Sequence, residues 1–363
     1  MSALRRRRAA AQLLNRPGRA PVAEVVFHLL AVQAQDLRAA RLALRARTDG
    51  LSATDVDAPL DDGSLVVGWL NRGTLHLVHR DDYGWLLSLT APGRMTANAR
   101  RLSQEGVAPS DADRAVGIVE RALADDGPLT RAELAQRIAA RGIRTEGQAT
   151  PHLLMLAALR GIAVLGPVRG DGQAYALARD WLGGAPRPPE RYAALAELAR
   201  RYLAAHGPAS AADLAAWTGL PLRDARAGLT AIASDLAERD GLADLTGRAA
   251  APRRIPPRLL PAFDSYLLGW KDRSFAVPAA HAKQVHPGGG MVRATATVDG
   301  LVVGTWTAPG GTVHLELREA APLADEVADV ERFLLTPSGL RPGGPASGGH
   351  VAASGTPTSA RPS

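Results

Sequence analysis

An α+β fold, with three helix-rich units each closed by a short hairpin and then a small β-rich domain, is predicted by three features of the 363-residue chain. First, a pattern of helix, Gly-Pro, cap and helix occurs twice. "VERALADDGPLTRAELAQRIAARG" (Val119 to Gly142) and "LARRYLAAHGPASAADLAAWTGLP" (Leu198 to Pro221) align over their central parts at a constant offset. Second, strand-like runs about a turn follow such helices, as in "AVLGPVRGDGQAYALA" (Ala163 to Ala178), centred on Gly-Asp-Gly. Third, the texture changes near Pro252 to the strict alternation of "MVRATATVDGLVVGTWT" (Met291 to Thr307). Three helices followed by a two-stranded wing describe a winged helix, a variant of helix-turn-helix. The chain therefore reads as three tandem winged-helix modules (1–105, 106–185 and 186–250), a β-rich C-terminal domain (251–335) and a tail (336–363).

Each element has a local cause. In the first module helices are expected near Ala9 to Leu14, Pro21 to Val32 and Leu37 to Arg47. A wing "SLVVGWLNRGTLHLVH" (Ser64 to His79) then turns at Asn71-Arg72-Gly73. In the second, Gly127-Pro128 ends a helix, Thr130 caps the next and Glu133 completes a capping box; a third helix spans about Pro151 to Arg160. In the third module Gly207-Pro208, Ser210 and Asp213 take the same places, and "AERDGLADLTG" gives a weaker wing. Asp299-Gly300 marks a tight hairpin in the C-terminal domain, followed by a strand in "TVHLELREA" and a helix over about Leu323 to Leu335. Beyond Thr336 a run of Pro, Gly, Ser and Thr cannot bury a core and reads as disordered.

Composition narrows the function. The absence of cysteine removes disulfides, thiolate zinc sites and thiol nucleophiles, and the nine histidines show no pair at metal-ligand spacing. No cofactor is expected. No window approaches a membrane span, and "MSALRRRRAAAQLL" lacks the apolar core of a signal peptide, so the expectation is a soluble cytoplasmic protein. A net charge of +7 and a pI near 10.4 favour an anionic partner, nucleic acid being the most general. Only two of the 43 basic residues are lysine, the bias of a high-GC bacterial genome, so basicity by itself weighs little.

The stretch "HLLAVQAQDLRAARLALRAR" (His28 to Arg47) sets Gln33 and Gln35 in an apolar, arginine-rich segment. On a continuous helix the two amides would point about 200° apart. Asp36, however, is a good N-cap for a helix starting at Leu37, which makes Gln33 to Gln35 a link between helices. In an extended link both amides project to one side and Ala34 turns inward.

"VQAQD", "WLNRGTLHLVHRDD", "LLPAFDSYLLGWKDR" and "VDGLVVGTW" resemble, in order, the signature stretches of the AlkZ/YcaQ family of winged-helix DNA glycosylases, over Val32 to Trp306. The resemblance implies a C-shaped molecule whose concave face holds duplex DNA, and a Gln-x-Gln or Gln-x-Asp catalytic motif with an apolar middle residue. Gln33, Ala34 and Gln35 match the first form, Ala34 being smaller than usual. Family members excise alkylated purines, and some unhook interstrand crosslinks. The residue types fit that chemistry. Glutamine cannot transfer a proton, but its carbonyl can accept from water and its NH2 can donate to a sugar or phosphate oxygen, so a pair can hold a water beside C1′. An N7- or N3-alkylated purine is already cationic and departs neutral, so little acid assistance is needed.

Other readings stand beside this one. The two amides could equally satisfy backbone groups exposed between helices. Asp36 is either a cap or a general base. His76 in "LHLVH" either faces the DNA or is bonded internally. Lys271 and Lys283 are open to a Schiff-base, phosphate-contact or surface role, and Tyr266 and Trp270 read as core. Arg72, His76, Lys271, Arg273 and Arg293, placed in hairpins and loops, are the expected DNA contacts. The expected partner is double-stranded DNA with alkylated or crosslinked purines, bound by a monomer, which would associate the protein with the nucleoid. The rival is a non-catalytic winged-helix regulator.

Overall fold

The computed structural model describes residues 2–16, 18–169, 172–184 and 189–335. Helix α1 covers the arginine run, Ser2–Ala11, earlier than the expected Ala9 to Leu14. The run is helical because its cations find distant partners. Arg5 and Arg6 reach Asp299, and Arg8 donates to Pro208 O at 3.0 Å. Helix α2 (Val22–Leu29) stops short of Val32 because Leu30 takes φ 67° and turns the chain. Strand β1 (Val32–Gln33) follows, and then α3 (Leu37–Arg45), capped by Asp36, whose Oδ1 accepts from the Arg38 N–H at 2.9 Å. An unforeseen helix, α4 (Ala53–Asp61), starts at a Ser52–Asp55 capping box and tolerates Pro59. Strands β2 (Leu65–Trp69) and β3 (Leu75–His79) flank the Asn71-Arg72-Gly73 turn. Helices α5 (Arg80–Thr90) and α6 (Pro92–Gln104) complete this part.

The next unit contains α7 (Pro109–Asp126), α8 (Arg131–Ala139), α9 (Ala149–Leu159), β4 (Ala163–Arg169), β5 (Gly172–Leu177) and a short α10 (Ala178–Trp181). Gly170 and Asp171 of the expected turn lie outside the described residues, as does the tail from Thr336. Then come α11 (Arg191–His206), α12 (Ala211–Thr218), α13 (Leu222–Ala231), β6 (Leu236–Arg239) and β7 (Leu242–Leu245). Both capping boxes, Thr130 with Glu133 and Ser210 with Asp213, are formed. Helix α1 packs on α11 of this third unit, and Ala11 O at its end accepts from His28 of the first at 2.8 Å. The C-terminal part holds β8 (Arg258–Leu260), α14 (Ser265–Leu268), α15 (Ala279–Val285), β9 (Thr295–Val298), β10 (Leu301–Thr307), β11 (His314–Leu317) and α16 (Ala324–Leu335). Asp299 and Gly300 turn the β9–β10 hairpin with φ 52° and 72°, the pair of positive values that a tight two-residue turn demands.

The first two hairpins are not separate wings. They join through Val67 and Leu165 into one antiparallel sheet of order β1-β3-β2-β4-β5. The cause is that these strands are apolar on both faces. Val32, Leu65, Val67, Leu77 and Leu165 face one core, while Val66, Val78, Val164 and Ala176 face a second core with Tyr83 and Leu86. A strand buried on both faces gains by also being paired on both edges. The C-terminal strands form a separate sheet of order β11-β10-β9-β8, and β6 pairs with β7.

Helix α3 and the turn that follows it are fastened by charge. Arg41 pairs with Asp57, Arg45 with Glu326 (3.0 Å) and Asp329 (2.8 Å), and Arg47 with Asp264 (2.7 Å). All three arginines are buried. The helix that follows the glutamine link is thus tied to the C-terminal domain. No helix among the described residues is long and apolar enough to cross a membrane.

Candidate active site

Gln33 ends β1 opposite His76 of β3, and the Ala34 N–H donates to Leu75 O at 2.8 Å, which carries the pairing one residue further. The backbone is therefore extended through the link, and alternate side chains take opposite sides. Ala34 is buried, while Gln33 Nε2 donates to Gln35 Oε1 at 3.2 Å. The two amides sit side by side, as the extended-link reading expects. The positive φ of Leu30 before them and the Asp36 cap after them fix both ends of the link. Asp36 is engaged as the cap of α3.

Arg72, at the tip of the β2–β3 hairpin, holds φ 54° and ψ 9°, a left-handed conformation unusual for a residue with a Cβ. Two bonds hold it there: Nη1 donates to Trp217 O at the end of α12, and Nη2 donates to Gln33 Oε1 at 3.3 Å. Because a guanidinium only donates, Gln33 must turn its carbonyl to Arg72 and its NH2 to Gln35. The NH2 of Gln35 and the second lone pair of its carbonyl are left for an incoming group. Burial, and then the nearby Arg273 and Arg94, bring Arg72 down to about 10, so it remains a cation at neutral pH.

His76 corrects one expectation. It is 1% exposed, and its Nδ1 donates to Thr74 O at 3.0 Å. Burial first and then Arg72 push it down to about 3, so it is a neutral ring beneath Gln33 and not a surface group for phosphate. The reason is the strand register. Residue 76 pairs with both Gln33 and Gly68, and the side-chain space at Gly68 is taken by the Tyr83 ring, which closes that face.

The other expected contacts divide. The Lys271 N–H donates to Asp213 Oδ1 at 3.0 Å, which fastens the 271–273 loop to the start of α12, whose far end holds Arg72. Arg273 comes within electrostatic reach of Arg72 in this way, and the Lys271 side chain is exposed beside it in sequence. Arg293 is exposed, and its N–H donates to Val285 O at 3.0 Å; no contact brings its side chain to the glutamines. Tyr266 and Trp270 are core residues bonded to Gly300 O and His206 O. Arg94 on α6 was not foreseen. Its side chain crosses the hairpin tip so closely that a methyl group on Gly73 would lie 3.1 Å from its Cδ. The only sequence signal is the Pro92-Gly93 break before it, which does not single out one arginine where arginine is the default cation. The glutamines lie outside both a concavity of about 560 Å³ around Lys283 and one of about 370 Å³ around Arg121.

Residues 26–334 match the family model described as DNA glycosylase AlkZ-like. The chain belongs to the AlkZ-like DNA glycosylase family. An interstrand DNA cross-link repair glycosylase of Streptomyces sahachiroi is 31% identical over 307 residues, 78% of this chain and 81% of that protein. The solved structure of Streptomyces sahachiroi DNA glycosylase AlkZ matches with a TM-score of 0.77 and 27% identity, covering 92% of this chain and 96% of that one. The AlkZ-like match takes in the glutamine link, the Arg72 hairpin, α6 and the C-terminal sheet, and leaves out α1.

Proposed function

We propose that this AlkZ-like protein is a monofunctional DNA glycosylase that hydrolyses the N-glycosidic bond of purines made cationic by alkylation at N7 or N3, including purines joined in interstrand crosslinks. Three winged-helix modules, built around the hairpins β2–β3, β4–β5 and β6–β7, hold double-stranded DNA to a monomer, with Arg72, Lys271 and Arg273 contributing phosphate contacts. The observation that carries this reading is the amide pair itself, Gln33 Nε2 to Gln35 Oε1 at 3.2 Å, with Arg72 fixing which way Gln33 points.

The pair holds a water rather than deprotonating it. The water oxygen bonds to C1′ as the bond from C1′ to the purine nitrogen breaks, and that electron pair neutralises the cationic base. The base leaves uncharged, and the water's surplus proton passes to solvent. Orientation of the nucleophile is then the main contribution, and neutral lesions such as uracil are poor substrates. Because Gln35 is exposed and Gln33 half-buried, a purine with a bulky or crosslinked attachment can reach them without entering a closed pocket.

The test is base release from duplex DNA carrying N7-methylguanine, scored as abasic sites after alkaline cleavage. The wild type should release the base, and Gln33→Ala/Gln35→Ala should lose about 100-fold or more in rate while still binding DNA. Sequence-specific binding with no release from methylated, bulky or crosslinked purines would replace this reading with that of a regulator.

A further inference from the structure

Buried arginines in this protein are paired with carboxylates almost as a rule. Arg8, Arg41, Arg45, Arg47 and Arg258 each have an Asp or Glu partner within 4.0 Å. The rule follows from the cost of desolvating a lone charge. Among the described residues five half-buried arginines depart from it, Arg7, Arg72, Arg80, Arg94 and Arg273, and three of the five lie around the end of α12. Among the described residues Arg72, Arg94 and Arg273 have no carboxylate partner, and the guanidiniums of Arg94 and Arg273 make no hydrogen bond.

They also converge. A methyl group on Gly219, the left-handed residue that ends α12, would lie 3.0 Å from Arg94 Nη2 and 3.2 Å from Arg72 Cα. Gly73 gives Arg94 the same close passage on the hairpin side. Arg273 completes the set from the loop fastened to the other end of α12. The carbonyl end of α12 accepts from Arg72 and offsets part of one positive charge, leaving a net excess. Mutual repulsion of three cations is unfavourable in the free protein and is relieved by an anion with several acceptor oxygens.

We infer that Arg72, Arg94 and Arg273 form one phosphate cradle, and that it holds the backbone phosphate flanking the nucleotide whose C1′ faces Gln33 and Gln35. This rests on the glycosylase reading for the identity of the nucleotide, and on the Arg72 bond to Gln33 Oε1 for the closeness of cradle and amides. Arg94 thereby becomes a DNA-binding residue. It points the strand so that one sugar, rather than its neighbours, meets the amide pair.

The experiment reads binding alone. Fluorescence anisotropy is measured on a duplex with a single tetrahydrofuran abasic analogue, over a range of KCl, for wild type, Arg94→Ala and Arg94→Gln, with melting curves to establish that both variants fold. The slope of log K against log salt should fall by about 0.9 for each variant, the value of one lost phosphate contact. A scan of single neutral methylphosphonates should then find one position beside the analogue that weakens the wild type several-fold and weakens Arg94→Ala distinctly less, since only Arg72 and Arg273 still contact that phosphate. If Arg94→Ala keeps the wild-type slope and responds to every methylphosphonate as the wild type does, the cradle is wrong. Gln35→Ala, which leaves both Arg72 bonds intact, should retain the wild-type methylphosphonate pattern. Failure of base release would therefore overturn the glycosylase reading without touching the cradle, and the reverse also holds.

Discussion

The side chains of Arg47 and Asp264 are both 0% exposed and meet through two bonds of 2.7 and 2.9 Å, while Ala43 O and Gln12 Oε1 accept from Nη1 and Nη2. Such a pair contributes little beyond what a well-packed apolar pair would, yet removing one charge strands the other in the interior. Asp264→Asn should therefore destabilise the protein by about 3–5 kcal/mol in urea unfolding. A loss below about 1 kcal/mol would mean that water reaches the pair. In the sequence Arg47 looks like any exposed cation, because its partner lies far along the chain and no local period points to it. The same limit hid Arg94. Gln33 and Gln35 were legible for the opposite reason. Their geometry is set by neighbours in sequence, the Asp36 cap and the alternation of an extended link, and only the turn at Leu30 lay beyond reading.

At the scale of elements, capping boxes and the Asp299-Gly300 turn were readable because each is a contract among residues three or fewer apart. Helix α4 was hidden by Pro59, and α5 and α6 by a short linkage at Pro92 that breaks the helical period. Joining of the two hairpins depends on which edges meet, and hydrophobic alternation carries no information on that. One consequence lies directly beneath the site. A Cβ at Gly68 would come within 2.5 Å of Tyr83 Cε2, and the Tyr83 ring is buried and cannot swing away. Gly68→Ala should cost about 1–3 kcal/mol in stability. It should also slow base release more than it weakens DNA binding, since residue 68 is paired with His76 and His76 with Gln33. Equal effects on rate and binding, or an unchanged melting temperature, would contradict a rigid support for the amides.

At the scale of the whole molecule, two fully buried histidines set an acid limit. His76 and His206 are both pushed down to about 3, chiefly by burial, against an ordinary value of 6.5. Between those values the unfolded chain binds protons that the native protein refuses, so stability is complete above about pH 6.5 and falls as the pH drops. Each histidine adds a slope of about 1.4 kcal/mol per pH unit within that window. Urea titrations from pH 7 to 5 should show the loss beginning near 6.5, above the range where paired carboxylates such as Asp329, held at about 2, become protonated. Constant stability from pH 6 to 5 would refute the burial of both rings. The shared sheet bears on synthesis as well. Val67 pairs with Leu165, which the ribosome adds roughly a hundred residues later, on the order of 5–20 s at ordinary translation speeds. For that interval β2 waits with one edge bare and both faces greasy, and the nascent chain must be shielded until its second half arrives to cover it.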